Sequence, residues 1–238
     1  MSSDVDQQGS SEETSDVISD IGHALREQWL HWRERLAAKR LLIGEGASLA
    51  LRIPGSTAMW FGRADDDEPR RVDRIDRIEH EDRGMRDVEL HAAVLAARED
   101  ACAIAFGGGR FGAMLADFGG AMPGVFDEQV RHLGLMPAPI MDAGKLEAIG
   151  PALARGGNVL ILGGRPLVLG TTPMRLGLNA ELFEKCATAY VLAAATGGPV
   201  SPLPWIVRLV ANGRLLKDER RARERVRAGL LPEEAKGY

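Results

Sequence analysis

Asp87-Val-Glu-Leu-His-Ala-Ala-Val-Leu-Ala-Ala-Arg98, then Glu99-Asp-Ala-Cys-Ala-Ile-Ala-Phe106, then Gly107-Gly-Gly-Arg110, is the stretch on which the fold turns. Val88, Leu90, His91, Val94 and Leu95 recur at helical spacing among several alanines, so Asp87–Arg98 is expected to be a helix with one apolar stripe. Ala101–Phe106 is short, unbroken and apolar, as a strand buried on both faces should be. Three glycines stop it, and Phe111–Leu115 resumes a helical pattern. A helix, a buried strand and a second helix in close succession require a core shared between helices and a sheet.

Reading toward the N-terminus, Ala47–Gly55 is a strand that ends in a Pro-Gly turn, and Ser56–Arg63 is its hairpin partner. Before them Ile18, Ile21, Leu25, Trp29, Trp32 and Leu36 share one helical face. Residues 1–16 are rich in Ser, Asp, Glu and Gln with almost no large apolar side chain, the composition of a disordered acidic tail. Asp65–Arg86 is densely charged, and Val72, Ile75 and Ile78 give part of it an edge-strand or helical character.

Toward the C-terminus, Asp127–Leu133 and Lys145–Arg155 read as helical. Asn158–Leu162 and Pro166–Leu169 flank Gly163-Gly-Arg165, a hairpin signal. Thr172–Thr196 is a long helix, with Leu178, Leu182, Ala189 and Leu192 expected on its buried side. Pro199–Pro204 interrupts, and Ile206–Ala228 is a final helical region, basic toward its end. The expected organisation is one α/β domain over 17–238, a three-layer α-β-α sandwich on a mostly antiparallel central sheet, with 206–238 as a C-terminal helical extension.

Composition narrows the function classes. The chain has 238 residues and a formal net charge of −4, so a general nucleic-acid binder with a basic excess on one face is disfavoured. The N-terminus is polar and acidic, unlike a secretory signal, and no apolar run approaches the roughly 20 residues that span a bilayer. Cys102 and Cys186 stand alone in apolar runs and read as buried reduced thiols, and a cytoplasmic location is the expectation that goes with them.

The polar residues offer a short list of chemistry. Asp87 and His91 are four apart on one helix and face the same way, where they can hold a water or a substrate hydroxyl. The simpler reading is a helix-start aspartate and a half-buried histidine. Phe106-Gly-Gly-Gly-Arg110 can cradle an anion at a helix start, or can be no more than a tight turn; it lacks the spacing of a nucleotide-binding loop. Arg110 and Arg165 can each clamp a carboxylate or phosphate bidentately. His23 and His31 are expected at the surface or in packing. The five histidines include no HxH, HxxxH or HExxH, so no local zinc site is expected.

Three segments together resemble the class II aldolase/adducin family: Leu49-Ala-Leu-Arg-Ile-Pro-Gly55, Asp87–Phe106, and Gly157-Asn-Val-Leu-Ile-Leu-Gly-Gly-Arg-Pro-Leu-Val-Leu-Gly170 with the long helix after it. Phe126–Gly134 fits the connecting region, and the resemblance covers roughly residues 18–205. It implies that the catalytic glutamate of the family is represented by Asp87 and the helix histidine by His91. The glycine and asparagine of the early substrate loop are represented by Ala47 and Ser48. The three metal histidines fall at Phe106, Gly108 and Gly164, none of which offers a ligand atom.

The function implied is therefore a binding or regulatory subunit without the family's metal site and with no cofactor. It would form a homo- or hetero-oligomer, for instance a tetramer with an active class II aldolase paralogue; the adducin head shows that the family includes non-enzymes. The alternative is a metal-independent lyase, an aldolase or decarboxylase acting on a small hydroxy or keto acid or a sugar phosphate. Asp87 and His91 would then move protons, and Arg110, Arg165 and Ser48 would bind the anion. No nucleic-acid or membrane partner is expected.

Overall fold

The computed structural model describes residues 5–75 and 86–234, with side chains from residue 20 onward. Its centre is a six-stranded sheet of β1 (Ser48–Ile53), β2 (Ala58–Arg63), β3 (Arg70–Val72), β4 (Ala103–Phe106), β5 (Val159–Leu162) and β6 (Arg165–Gly170). The strand order is β3-β2-β1-β4-β6-β5 and every named pairing is antiparallel. The β5–β6 hairpin turns on Gly163 and Gly164, whose φ values of 57° and 77° are those of the tight turn that two glycines favour.

Strand alternation sorts the side chains into two cores. On one face Leu49, Leu51, Ile53, Ala103, Ala105 and Val168 pack beneath α1 (Val5–Ala38) and α6 (Pro173–Ala195). On the other, Ala50, Phe61, Ile104, Phe106, Leu167 and Leu169 pack beneath α2 (Arg86–Ala97) and α5 (Ile149–Leu153). The result is the expected antiparallel sheet between helical layers. Short helices α3 (Arg110–Met114) and α4 (Asp127–His132) join the elements, and α7 (Trp205–Arg227) packs chiefly on α4.

The anticipated face of α1 is buried: Leu25, Trp29, Trp32 and Leu36 all lie in the core, and His23 and His31 are exposed. The Trp32 ring packs against α6, where a Cβ at Gly177 would fall 1.9 Å from it, so only glycine allows these two helices to come so close. The helical backbone of α1 begins at Val5 and so includes most of the segment read as a tail.

The buried side of α6 differs from expectation. Leu176, Ala180, Phe183, Ala187 and Val191 face the core, whereas Leu178 and Leu192 are exposed. Apolar residues run almost all round this helix, so periodicity alone cannot choose the inward side. Of the charged segment, Arg70–Val72 is an edge strand, while Ile78 and His80 lie outside the described residues. Cys102 and Cys186 are buried free thiols, pushed up to about 12 and about 11 by burial.

Candidate functional site

One row across the sheet sets the site. Ser48 of β1 lies opposite Arg63 of β2 on one side and Phe106 of β4 on the other, and Phe106 in turn lies opposite Leu167 of β6. All four point toward α2, since Phe61, Ala50, Ile104 and Leu169, two residues away on each strand, belong to the core on that face. The first turn of α2 comes down over this row and brings Asp87 and His91 with it.

Arg63 reaches Asp87 with two donors, Nε at 3.0 Å and a terminal nitrogen at 2.8 Å, both on Oδ2. The other oxygen, Oδ1, faces the Gly46 backbone: a Cβ on Gly46 would lie 3.6 Å from it. His91 is fully buried, edge-on to Phe61, with its Nε2 2.9 Å from Ser48 Oγ. Ser48 is fully buried too, and its hydroxyl donates to Gly46 O at 3.1 Å. With that proton committed, Ser48 Oγ accepts from His91 Nε2–H, and His91 Nδ1 carries a lone pair that meets no hydrogen-bond partner.

Burial lowers the His91 pKa to about 3. A pKa this low keeps the imidazole neutral at physiological pH. Its bond to Ser48 Oγ, and the bond of that hydroxyl to Gly46 O, link α2 to the turn before β1. Removing the Ser48 hydroxyl leaves both ring nitrogens unsatisfied, so Ser48→Ala should cost about 1–3 kcal/mol. A urea titration with a His91→Phe control would measure this.

The lowered pKa also sets a pH dependence. Below about 6.5 the unfolded chain protonates His91 while the folded chain does not, so stability is lost as pH falls from about 6.5 toward 3. His132, lowered mainly by burial and then by Arg175, acts in the same direction. Melting curves across this range should flatten in His91→Gln, and an unchanged slope would refute the assignment.

The two arginines separate. Arg165 extends β6 on the α2 side of the sheet, half-buried, with its guanidinium against Gly44: a Cβ there would sit 3.4 Å from it. Arg110 opens α3, is exposed, and belongs to the α6 side, where Phe111 and Met114 pack. Neither has an ion pair among the described residues. The structure thus groups Asp87, His91, Ser48 and Arg165 around one loop and leaves Arg110 apart.

The glycine turn 107–109 does hold an anion, and the anion is internal. Glu184 of α6 accepts from Phe111 N at 2.8 Å and Gly112 N at 3.0 Å, and a Cβ on Gly109 would fall 2.4 Å from its carboxyl carbon. Phosphate binding there would have to displace a carboxylate of the chain itself. Neither Glu184 nor Arg63 stands out in the sequence. Glu184 lies in mid-helix far along the chain, and Arg63 closes a strand whose loop resembles no known motif.

The positions that the family resemblance assigns to metal ligands do not fit a metal. Phe106 is a core side chain, 8% exposed. Gly108 has φ +71°, and a Cβ there would fall 2.5 Å from Pro166 Cγ and 2.8 Å from its Cβ. Gly164 has open space nearby but also a left-handed φ of 77°. Among the described residues no group of three or more His, Cys, Asp or Glu is placed to hold a metal ion.

No protein-family model matches the sequence, and no curated protein matches it significantly. Solved structures do match. YgbL of Escherichia coli superposes with a TM-score of 0.65 at 16% identity, covering 81% of this chain and 99% of that one. The L-fuculose 1-phosphate aldolase of Glaciozyma antarctica gives 0.63 at 16% identity, over 91% and 94% of the two chains. An aldolase II superfamily protein of Pseudomonas syringae gives 0.60 at 18%, over 82% and 85%. The chain therefore has the class II aldolase fold, and at these identities the likeness speaks for the fold alone. Among the described residues no helix is long and apolar enough to cross a membrane.

Proposed function

We propose that this chain is a non-catalytic member of the class II aldolase fold group, a binding or regulatory subunit that associates with copies of itself or with an active paralogue. One observation carries the reading: the Pro166 ring fills the space that a side chain at position 108 would need. That packing supports a position built around glycine over an open site that merely lacks a ligand. The neighbouring groups agree. Asp87 is engaged by Arg63, and His91 is buried, neutral and bonded to Ser48.

A second reading is supported by Arg165, a half-buried guanidinium without a carboxylate partner among the described residues, on the same face as Asp87. Such a group can bind the carboxylate or phosphate of a small substrate, and a metal-independent lyase would use it to stabilise an enolate or carboxylate. An activity panel separates the two. The purified protein, with and without added zinc or manganese, is offered ketose 1-phosphates and small hydroxy and keto acids, and aldehyde or carbon dioxide release is followed. The subunit reading expects no turnover and co-purification of an aldolase-fold paralogue from the native host. Turnover that is lost in Arg165→Met would replace it with the lyase.

A further inference from the structure

The start of α7 is exposed in a way that a solitary protein seldom tolerates. Trp205 is 67% exposed, Ile206 53%, Leu209 60% and Val210 54%, and Val207 also reaches solvent. These residues cover somewhat more than half of the helix circumference, and Arg208 faces the remainder, toward Gly124. An apolar arc this wide is ordinarily buried. Together they present apolar surface on the order of 500 Å², as much as the largest patch of a typical monomer. That is also more than half of the roughly 800 Å² that each partner contributes to a stable complex. From Ala211 onward α7 is ordinary: Ala211, Leu215, Ala222 and Val226 are buried against the body.

The edges of this surface identify its occupant. Along it runs a groove of about 330 Å³ lined by Ile206, Val207, Val210, Asp127, Arg131 and Arg214. Arg131 is already paired with Asp218 at 2.7 Å. Asp127 and Arg214 are exposed, and neither has a partner among the described residues. They are opposite charges at two places on one surface, Asp127 at the head of α4 and Arg214 two turns into α7. A surface with unpaired charges of both signs can satisfy itself through a twofold axis. Gly213, which lies on the Trp205–Leu209 stripe, adds a point of close approach, since a Cβ there would touch nothing in its own chain.

We infer that two copies of this chain pair through α7, running antiparallel across a twofold axis near Val210, with Trp205, Leu209 and Val210 buried between them. Arg214 of each copy then lies beside Ile206 and Asp127 of the other. The pairing does not depend on whether the Asp87 region has any activity. A lipid surface is the less suitable occupant, because the groove beside the patch carries the carboxylate of Asp127 as well as Arg214, whereas anionic headgroups favour a wholly basic rim.

Sedimentation equilibrium of the full chain across a concentration series tests this. The wild type should show an even-numbered oligomer, and Leu209→Arg should halve its mass with an unchanged circular dichroism spectrum. Asp127→Arg should weaken association by about tenfold, roughly the effect of losing one desolvated charge pair. Adding Arg214→Asp to that variant should restore association, a result that a merely structural role for Asp127 would not give. A wild type that is monomeric throughout, or an oligomer indifferent to Leu209→Arg, would overturn the inference. So would a monomer whose binding to phosphatidylserine vesicles is abolished by Leu209→Arg.

Discussion

Gly108→His is expected to destabilise the protein by about 3 kcal/mol or more and to add no metal affinity. Two costs combine. The backbone at 108 is left-handed, where a side chain is strained. The new Cβ would also lie 2.5 Å from Pro166 Cγ, and the proline ring is covalently fixed to β6 and cannot rotate aside. The triple variant Phe106→His, Gly108→His, Gly164→His should behave no better, because Phe106 is also a core side chain beneath α2. Chemical denaturation measures the loss and zinc titration calorimetry the affinity. Tight stoichiometric zinc binding by a folded triple variant would mean that the site is merely unliganded rather than repacked.

Arg98→Met should be comparably severe, about 3–5 kcal/mol, because it strands two buried carboxylates. Arg98 is 2% exposed at the end of α2. It donates to both oxygens of Asp100 at 2.9 and 2.7 Å, to Glu219 of α7 at 2.8 Å and to Asn158 at 3.1 Å, and also to Gly157 O. Burial by itself would lower the Arg98 pKa, but the bond to Asp100 and the two nearby carboxylates raise it. Burial raises that of Glu219 against the pull of Arg98. The group fastens α7 to the α2 side of the sheet, so its loss should also loosen the helix proposed as the pairing surface. Thermal unfolding checks the first effect. Adding Asp100→Asn and Glu219→Gln to Arg98→Met should recover much of the loss, since no charge is then left unpaired. A single variant as stable as wild type would show that the network contributes nothing.

What the sequence disclosed and what it hid follow from the range of the interactions involved. The hairpins at Pro54-Gly55 and Gly163-Gly164 and the helix over 87–98 are set by local chemistry, namely turn residues and apolar period, and the structure has them within a residue or two. The pairing of Asp87 with His91 on one helical face is likewise local. By contrast, Arg63 meets Asp87 across 24 residues, Ser48 meets His91 across 43, and Glu184 meets Phe111 across 73. No short-range pattern encodes such contacts. The inward side of α6 is hidden for a related reason: which of its apolar faces is buried depends on contacts with distant elements, such as Trp32 against Gly177. That positions 106, 108 and 164 offer no ligand atoms could be read from the sequence, but the packing of Pro166 against position 108 could not.

We propose that the positions to which the family resemblance assigns metal ligands are filled by packing in this chain and bind no metal. Elemental mass spectrometry of the purified protein, after incubation with zinc, manganese and iron and removal of free ions, tests it most directly. No stoichiometric metal is expected. About one ion per chain, retained after gel filtration, would contradict it and would require ligands beyond the positions that now hold Phe106, Gly108 and Gly164.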